Sequence, residues 1–400
     1  KTERRRKIIA DLEKIKVAVR TMPSLNELLS DKKKVTDIQE LSINDILPGA
    51  RISNAKVKNA ESKTFFISGA GGSIGAEITR QLLSSNPLII ILFELSEYNL
   101  FNIERECLAI KDSKNLDTEI IPILGDIRDR SNLEHVFQKF LIDQIYHAAA
   151  YKHVPIVENE NNISKAAENN ILGTYNLANS AVKHGVHSFV MISTDKAVRP
   201  TNIMGATKRF AEIIIQSINS ESSNTKFSMV RFGNVINSSG SVIPLFIDQI
   251  SRGGPITVTH KDVMRYFMTI PEASNLVLQA GEMSSGGEVF ILDMGEQVKI
   301  FDLARKLIHL SGRNHADGDE VDGIEIVEVG LRPGEKMYEE LLISGSELKT
   351  ENPKIYKATE SFIEPKILKP LLIELKESIS SFDNKKILTL LSQHVEGFNR

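Results

Sequence analysis

The stretch that decides the fold is Phe189–Glu212, which reads FVMISTDKAVRPTNIMGATKRFAE. It opens with a short apolar run typical of a buried parallel strand, and that run ends in the polar cluster Ser193–Lys196. A proline-containing loop then leads to Met204–Lys208, which opens an amphipathic helix. In open α/β sheets, ligands lie beyond the carboxyl ends of the strands. The stretch therefore predicts a binding or catalytic site at a strand end, with a salt-bridged surface loop as the alternative.

Composition and charge exclude several classes of protein. The 400 residues are 41% hydrophobic and 25% charged, which is typical of a globular chain with a sizeable core. A net charge of −3 argues against a general nucleic-acid binder. The single cysteine, Cys107, cannot form an internal disulfide, which favours an intracellular compartment. No apolar run approaches the roughly 20 residues that cross a bilayer, and no Cys/His cluster has metal-ligand spacing, so we predict no metal.

The segment 1–63 is predicted to form a partial α/β unit followed by a linker. It carries 15 Lys and Arg against 9 Asp and Glu, a balance that suits a solvated helix face or a position beside an anionic membrane surface. The expected elements are a helix over Arg4–Ile15, a strand over Lys16–Met22, a short helix over Ser24–Ser30 and a connector over Asp37–Lys63.

A strand, a glycine loop and a helix follow one another from Thr64 onward. The apolar run Thr64–Ser68 leads into GAGGSIG at Gly69–Gly75 and then into a helical pattern. Glycines let the backbone approach a pyrophosphate, while the amino end of a helix supplies unpaired N–H groups and a positive dipole end. A glycine loop alone is a weak signal, but this one has the strand–helix context. We predict cofactor contacts from Gly69, Gly72, Ser73, Ile74 and Gly75.

Glu94 indicates which dinucleotide is bound. The second strand, Leu88–Phe93, leads directly into Glu94. This carboxylate follows the glycine loop at the spacing expected of a residue that accepts hydrogen bonds from both ribose hydroxyls, and its charge repels a 2′-phosphate. No arginine follows within Leu95–Asn99. The prediction is NAD rather than NADP.

The ends of the next two strands complete the predicted cofactor site. Asp126 would hold the adenine amino group and Ile127 would cover the ring, although Asp126 as a simple helix N-cap is the alternative. Ala148 and Ala149 are small residues at a point where a dinucleotide backbone would pass closely. His147, just before them, is expected to be structural.

Three arginines recur in Gly- and Pro-containing loops of the second half, at Arg231, Arg265 and Arg332. Each alone is more often part of a surface ion pair, but as a set they favour a phosphorylated ligand, because guanidinium forks clamp diphosphates. The predicted domains are an N-terminal segment (1–63), a cofactor-binding domain with the catalytic residues (64–235), a region that mainly binds the substrate (236–345) and a helical tail (346–400).

These motifs resemble the extended short-chain dehydrogenase/reductase family, and more narrowly the membrane-associated bacterial dehydratases that act on UDP-N-acetylglucosamine at sugar carbons 4 and 6. The resemblance covers Thr64 to Leu342. It is carried by GAGGSIG, HAAAYKHVP (His147–Pro155), STDKAVRPTNIMGATKR (Ser193–Arg209), RFGNV (Arg231–Val235) and LRPGEK (Leu331–Lys336).

The resemblance implies a fold, a cofactor and partners. The fold is α/β: a Rossmann-like doubly wound parallel sheet with a smaller C-terminal α/β substrate domain. The cofactor is NAD, the substrate is UDP-N-acetylglucosamine, and the oligomer is a homodimer paired through helices. Long members of the group carry an N-terminal membrane domain, so the resemblance also implies a cytoplasmic domain of an inner-membrane-anchored bacterial protein.

Met204 is a departure from the wider family pattern, in which a tyrosine four positions before Lys208 acts as acid and base. A thioether cannot exchange a proton, so Met204 cannot do that job. The membrane-linked group shares this replacement, which suggests retention of configuration at C5. The replacement leaves open which group removes the proton of the C4 hydroxyl. Lys208 would still hold the nicotinamide ribose.

The family chemistry oxidises C4, removes water across C5 and C6, and reduces C6. Our hypothesis is that Lys196 abstracts the C5 proton, Asp195 protonates the departing C6 hydroxyl, and Thr194 binds the C4 oxygen. For Lys196 to act as a base, its pKa must fall from about 10.4. The alternative is a purely structural role, in which Asp195 and Lys196 only form an ion pair with each other. The motifs also imply substrate contacts from Lys152, Asn234, Arg265, Arg332 and Glu335.

Two other functions stay open at this point. A UDP-sugar 4-epimerase needs no base at C5, so the Asp195–Lys196 pair argues against it. A non-catalytic regulator that binds NAD or a nucleotide sugar is supported only by Met204. The sequence does not decide the configuration at C5, the exact sugar or the oligomeric state.

Overall fold

The computed structural model describes residues 57–399 apart from 223, 237, 239, 317–322 and 342–346. Ahead of position 57, it describes only 7–9, 11–12, 15, 19–21 and 39–40. Positions 7–9 and 11–12 are helical, and Arg20–Thr21 pairs antiparallel with Gln39–Glu40. The short helix predicted over Ser24–Ser30 lies outside the described residues.

A nine-stranded sheet forms the centre of the molecule. The strands occur in the order β8-β9-β7-β6-β5-β4-β1-β2-β3, with β1 to β7 parallel and the edge pair β8 and β9 antiparallel. The parallel part has the order 3-2-1-4-5-6-7, which is the 3-2-1-4-5-6 order of doubly wound dinucleotide-binding sheets with a seventh strand added, so the predicted fold class is confirmed. The strands are β1 (Thr64–Ser68), β2 (Ile89–Glu94), β3 (Glu119–Leu124), β4 (Gln144–His147), β5 (Ser188–Ile192), β6 (Lys226–Arg231), β7 (Val289–Leu292), β8 (Leu348–Lys349) and β9 (Ile355–Ala358).

Helices cover both faces of the sheet because the central strands are apolar on both sides. One face packs against α1 and α7 through Leu82 and Val277, and the other against α4 and α5 through Leu177 and Ile215. The helices are α1 (Ser73–Leu83), α2 (Glu97–Lys114), α3 (Arg130–Lys139), α4 (Thr174–Lys183), α5 (Ile203–Glu221), α6 (Val242–Ser251), α7 (Ile270–Met283), α8 (Ile300–Leu310), α9 (Pro365–Ser380) and α10 (Asn384–His394).

Short strands after β6 build the wall that faces the sheet's carboxyl edge. The sequence RFGNVINSSG at Arg231–Gly240 is typical of a loop, but its residues Asn234–Ile236 form a strand that pairs in parallel with Phe267–Thr269. The two strands are far apart in sequence, and local patterns do not reveal such a partner. The remaining pairs are Ile256–Val258 with Ile326–Glu328 and Met264–Arg265 with Val298–Lys299.

The C-terminal tail belongs to both the sheet and the helical layer. The prediction that the tail is helical is wrong at its start, because β8 and β9 extend the sheet beside β7. The helices α9 and α10 then pack on α5, where Leu372 and Leu391 join a cluster with Met204 and Phe210. Every residue of α5 from Ile203 to Ser217 is buried. That length of α5 is already covered by the chain itself, and the homodimer stays a prediction.

No helix among the described residues is long and apolar enough to cross a membrane.

Candidate active site

The glycine loop lies between β1 and β4, where the strand order reverses. Gly69 has φ +68°, and a Cβ there would lie 2.8 Å from the backbone nitrogen of Ala149. A Cβ at Gly75 would lie 2.1 Å from the carbonyl oxygen of Gly69. Both positions therefore admit only glycine, since real side chains do not approach so closely. The result is a bare backbone cradle at the amino end of α1.

The first turn of α1 and Glu94 define the open end of this cradle. The N-cap of α1 is Gly72, which has no side chain to cap the helix, whereas the α2 N-cap Ser96 accepts a hydrogen bond from Asn99. The first N–H groups of α1 are thus left for an acceptor outside the helix. The carboxylate of Glu94 accepts hydrogen bonds from the backbone N–H groups of Gly71 (2.9 Å) and Ser96 (3.0 Å). Glu94 therefore braces the loop, and its contact with a ribose stays a prediction.

Asp126 is not the helix cap that the alternative interpretation suggested. Asp129 caps α3, and Asp126 instead accepts hydrogen bonds from the backbone and guanidinium of Arg128. Burial alone would raise the pKa of Asp126, but the hydrogen bonds from Arg128 lower it. Ile127 is 3% exposed and its side chain lies against Gly173. The side chain would have to move to cover an adenine ring, and that contact stays a prediction.

One cavity of about 760 Å³ joins the predicted cofactor loop, catalytic cluster and substrate residues. It opens at the amino end of α1, passes the end of β5, and reaches the loop 330–341. Its walls do not include the predicted residues Gly69, Glu94, Asp126, Ile127, Ala149 and Asp195. The predicted residues that line it are Gly72, Ser73, Ile74, Gly75, Ala148, Lys152, Thr194, Lys196, Met204, Lys208, Asn234, Arg265, Arg332 and Glu335.

His147 is buried behind the cavity, and its surroundings agree with the structural role expected for it. Its Nδ1 is 2.7 Å from the hydroxyl of Ser68, and its Nε2 is 2.9 Å from that of Thr174. Thr174 donates its hydroxyl proton to the carbonyl of Asn170, so it accepts from Nε2–H, and Ser68 then donates to Nδ1. Burial and the charge of Lys208 lower the pKa of His147 to about 3, which keeps the ring neutral.

Thr194, Asp195 and Lys196 form one hydrogen-bonded cluster at the carboxyl end of β5. The Nζ of Lys196 donates to Asp195 Oδ1 (2.9 Å) and to the side-chain oxygen of Asn234 (3.1 Å). The hydroxyl of Thr194 also donates to Asp195 Oδ1, at 2.9 Å. Asp195 itself is 0% exposed, and its buried Oδ2 has no hydrogen-bond partner within the described part of the chain. Thr194 and Lys196 therefore face the cavity, whereas Asp195 acts from behind them.

Two of the three lysines that line the cavity, Lys196 and Lys208, have pKa shifts in opposite directions. For Lys196, burial alone would lower the pKa, but the charges of Asp195 and Glu339 raise it above its usual value. The base role predicted for Lys196 requires a lowered pKa, whereas the raised pKa makes Lys196 an ammonium in this arrangement. Burial lowers the pKa of Lys208 to about 8, against a smaller opposing effect of Glu212. Lys208 therefore changes charge close to neutral pH.

Met204 lies where the wider family has its tyrosine, and it contributes only apolar surface. It is 3% exposed, lines the cavity and joins the cluster formed with α9 and α10. The adjoining backbone is held by Asn202, whose side chain caps α5 by accepting from Gly205 (2.8 Å). This cap and the tail fix the helix start, so Lys208, one turn later, faces the cavity.

Arg265 and Glu335 form a pair at the far end of the cavity. The Nη2 of Arg265 donates to the Glu335 carboxylate at 2.7 Å, and the hydroxyl of Thr259 donates to the same oxygen at 3.0 Å. The other oxygen of Glu335 accepts from the backbone of Arg332. The guanidinium groups of Arg265 and Arg332 thus line one cavity with the carboxylate of Glu335, which can accept further hydrogen bonds. Such a set matches a diphosphate beside a ribose.

Arg231 does not belong to this set, and its predicted role as a diphosphate clamp is wrong. It is 0% exposed and pairs with Glu212 and with Glu360, at 2.6 Å for the latter. Arg209 pairs with the same two carboxylates at 3.1 and 3.0 Å. Burial opposes ionisation of Glu212, but the two arginines hold its pKa at about 2. Since the hydroxyl of Ser193 donates to Glu212 at 2.6 Å, this network supports the residue next to Thr194.

Sequence reasoning missed Glu339 and Glu360. Glu339 lies just beyond the motif LRPGEK, and its oxygen is 3.8 Å from the Nζ of Lys196. Its helical spacing from Glu335, in the run GEKMYEEL, was the available signal. Glu360 lies in the tail, far in sequence from Arg231, and no local pattern connects the two.

Among the described residues, no group of three His, Cys, Asp or Glu side chains is arranged to hold a metal ion.

The fold and the cavity define a Rossmann-type protein of the nucleotide-sugar dehydratase and epimerase class. The chain belongs to the family described as "Polysaccharide biosynthesis protein", whose model matches residues 65–360.

Curated relatives agree with this class. The chain is 44% identical over 378 residues to the capsular polysaccharide biosynthesis protein CapD of Staphylococcus aureus, across 93% of this chain and 60% of CapD. The chain therefore spans less than two thirds of that relative. It is 32% identical to a UDP-glucose 4-epimerase of Rickettsia canadensis, covering 72% of this chain and 80% of the relative. It is 31% identical to a UDP-N-acetylglucosamine 4,6-dehydratase (inverting) of Campylobacter jejuni, covering 70% and 78%.

Solved structures share the architecture. The X-ray structure of Pen from Bacillus thuringiensis has a TM-score of 0.66 and 33% identity, covering 80% of this chain and 99% of that one. The dTDP-glucose 4,6-dehydratase DesIV of Streptomyces venezuelae, solved as a double mutant with NAD and DAU bound, has a TM-score of 0.55 and 22% identity, covering 69% and 87%. At 22% identity, the similarity to DesIV supports the fold alone.

Proposed function

We propose that this chain is an NAD-dependent UDP-N-acetylglucosamine 4,6-dehydratase that retains the configuration at C5. The observation that supports this most is that one cavity is lined by Thr194 and Lys196 together with residues of the glycine loop and with Arg265 and Arg332. A nucleotide sugar between a cofactor and a diphosphate clamp would present its hexose to the Thr–Asp–Lys cluster. Retention is proposed on Met204, as the resemblance implies.

NAD fits the residues that are present. The bare backbone of the glycine loop and the uncapped start of α1 suit a pyrophosphate, and Glu94 at the end of β2 suits the ribose hydroxyls. When bound, NAD would supply the oxidation at C4 and the reduction at C6. Lys208 lines the same cavity and would hold the nicotinamide ribose through its amino group. Ala148, beside the loop, leaves room for the dinucleotide.

The acid and the base arise from one proton shift along a hydrogen bond. In the ion pair, Lys196 carries the proton and Asp195 is charged; transfer across the 2.9 Å bond leaves a neutral amine and a neutral carboxylic acid. Excluding water from the cavity favours the neutral pair, because burial penalises both charges. Lys196 can then accept the C5 proton.

Thr194 connects the buried acid to the substrate. Because Asp195 is fully buried, its proton reaches the C6 hydroxyl through a side chain that faces the cavity. The hydroxyl of Thr194 is 2.9 Å from Asp195 Oδ1 and lines the cavity, so it can pass a proton on while receiving another. The proton of the C4 hydroxyl would leave earlier, at the oxidation step, and pass through Thr194 to solvent, so that Asp195 is still ionised when it receives the proton of Lys196. The proton that departs with water is then the one transferred from Lys196 to Asp195, and the C5 proton restores the ammonium of Lys196.

A 4-epimerase is the second candidate, and the relatives of both activities are almost equally similar to this chain. Incubation with UDP-N-acetylglucosamine in deuterated water, followed by NMR, separates them. The proposal expects a 4-keto-6-deoxy product with deuterium at C5 and ring couplings of the retained configuration. Formation of UDP-N-acetylgalactosamine without deuterium would establish the epimerase. No reaction in the presence of bound NAD would contradict both.

Gly75→Ala is expected to weaken NAD binding by about 100-fold, or about 2.8 kcal/mol. The added methyl would lie 2.1 Å from the carbonyl of Gly69, so the loop must move and the cradle is lost. Titration of NAD by calorimetry measures the effect. Ser84→Ala, at the other end of α1 and exposed, is the control and should bind NAD normally. Unchanged affinity of Gly75→Ala would place the cofactor elsewhere.

A further inference from the structure

Glu339 occupies a position in the active site that no predicted role explains. Its side chain comes from the loop 330–341, and the residue is 6% exposed. One of its oxygens is 3.8 Å from the Nζ of Lys196 and 3.9 Å from the Nε of Arg265. The backbone oxygen of Glu339 accepts a hydrogen bond from Gln297 (3.0 Å), which fixes the segment.

We propose that Glu339 is a positioning residue: it is a second carboxylate partner of Lys196, and its charge holds Lys196 in the ammonium form in the resting protein. Lys196 already gives hydrogen bonds to Asp195 and Asn234. Glu339 adds a carboxylate charge at 3.8 Å, which acts through space. In this role Glu339 acts on the reaction through Lys196.

The charges around the pair favour this assignment. Lys196 faces Asp195 from its own turn, Asn234 from the adjoining strand, Glu339 from the loop and Arg265 from the wall. Glu339 faces Lys196, Asp195, Arg265 and Lys336. Two carboxylates and one arginine therefore act on Lys196, and only the carboxylates favour its charge. Burial raises the pKa of Glu339, because a buried carboxylate loses its contact with water. A change of Glu339 to a neutral residue therefore also removes a buried ion that is costly to desolvate.

The loop that carries Glu339 is attached to the loop that follows Lys196. The carbonyl of Gly334 accepts hydrogen bonds from Thr201 (2.7 Å) and Asn202 (3.3 Å), and Lys336 donates to the carbonyl of Val198 at 2.9 Å. These bonds fix Glu339 relative to Lys196 without involving the carboxylate. Glu339→Gln, which keeps the shape of the side chain, should therefore change the charge without changing the placement.

The inference is tested by the chemical reactivity of Lys196 at fixed pH. Well below the lysine pKa, acylation by a trace of acetic anhydride is proportional to the neutral fraction. Glu339→Gln should raise the acylation rate of Lys196 about tenfold, the equivalent of about one pH unit. Lys152 lines the same cavity and serves as an internal measure of reagent access. The exposed neighbour change Glu340→Gln should leave Lys196 unaltered, and Glu339→Asp should largely restore the wild-type rate.

An unchanged Lys196 rate in Glu339→Gln, with Lys152 also unchanged, would overturn the inference. So would a parallel rise at both lysines, which indicates a general opening of the cavity. The inference rests on the proposed function only in making Lys196 the proton acceptor. If Lys196 accepts the C5 proton, the acidic limb of the plot of kcat against pH should move to lower pH in Glu339→Gln. A shift in reactivity without any turnover of UDP-N-acetylglucosamine by the wild type would refute the proposed function and keep the inference.

Discussion

Lys196→Ala should lower kcat for UDP-N-acetylglucosamine by about 10²- to 10⁴-fold, the usual contribution of a positioned acid or base. The change removes the cavity-facing amine that is bonded to Asp195, so the C5 proton loses its acceptor. NAD affinity should stay within about twofold, because Lys196 does not line the glycine cradle. The rate is measured by the appearance of the keto product, and bound NAD by its release on heating.

Lys196→Arg distinguishes proton transfer from simple charge. Arginine keeps a cation beside Asp195 but does not give up its proton in proteins. The account expects Lys196→Arg to be as inactive as Lys196→Ala. Substantial activity in the arginine variant would mean that Lys196 only stabilises charge, and unchanged activity in Lys196→Ala would remove it from the mechanism. The exposed change Lys369→Ala, on α9, is the control for general effects of losing a lysine.

The second large effect is on stability. Arg231→Met should destabilise the fold by about 3–5 kcal/mol, the range for breaking a buried ion pair by removing one partner. Methionine fills similar space but leaves Glu212 and Glu360 to share Arg209 alone. Denaturation followed by circular dichroism measures the loss. Arg252→Ala, an exposed arginine that pairs with Asp248 on α6, is the control and should unfold at the wild-type midpoint.

The loss in Arg231→Met should shrink as the pH falls from 8 to 5. In the wild type, the depressed pKa of Glu212 makes its charge stabilising above the unfolded value, and that contribution is lost only as the pH falls towards about 2. In the variant, one buried carboxylate lacks a partner, so its pKa rises above the unfolded value. Protonation then relieves the penalty on acidification. A penalty that is independent of pH would show that packing, rather than charge, is what Arg231 supplies.

Much of the fold was predictable because its signals are local. The strand β1 has the predicted bounds Thr64–Ser68, since it is an apolar run that ends at turn residues. The strand at Asn234–Ile236 and the edge pair β8 and β9 were not predictable. Asn234–Ile236 and β9 form because partners distant in sequence lie beside them, and β8 is only two residues long and pairs with β9.

The site shows the same division. The residues that line the cavity are largely those of the motifs, because strand ends and glycine loops determine where a ligand lies. Burial and charge could not be predicted in this way. Asp195 is entirely buried, Arg231 is paired inside the protein rather than facing a diphosphate, and the charges of Asp195 and Glu339 raise the pKa of Lys196 although burial alone would lower it. All three outcomes depend on groups that converge only in the folded chain.

The central claim is that oxidation at C4 and reduction at C6 belong to one reaction within one site. The most direct test uses UDP-N-acetylglucosamine carrying deuterium at C4, incubated with the protein in ordinary water and analysed by NMR and mass spectrometry. The deuterium of each substrate molecule should appear in the new C6 methyl group of the 4-keto product. Deuterium that stays at C4 in an epimerised sugar, or that is lost to free reduced cofactor, would contradict it.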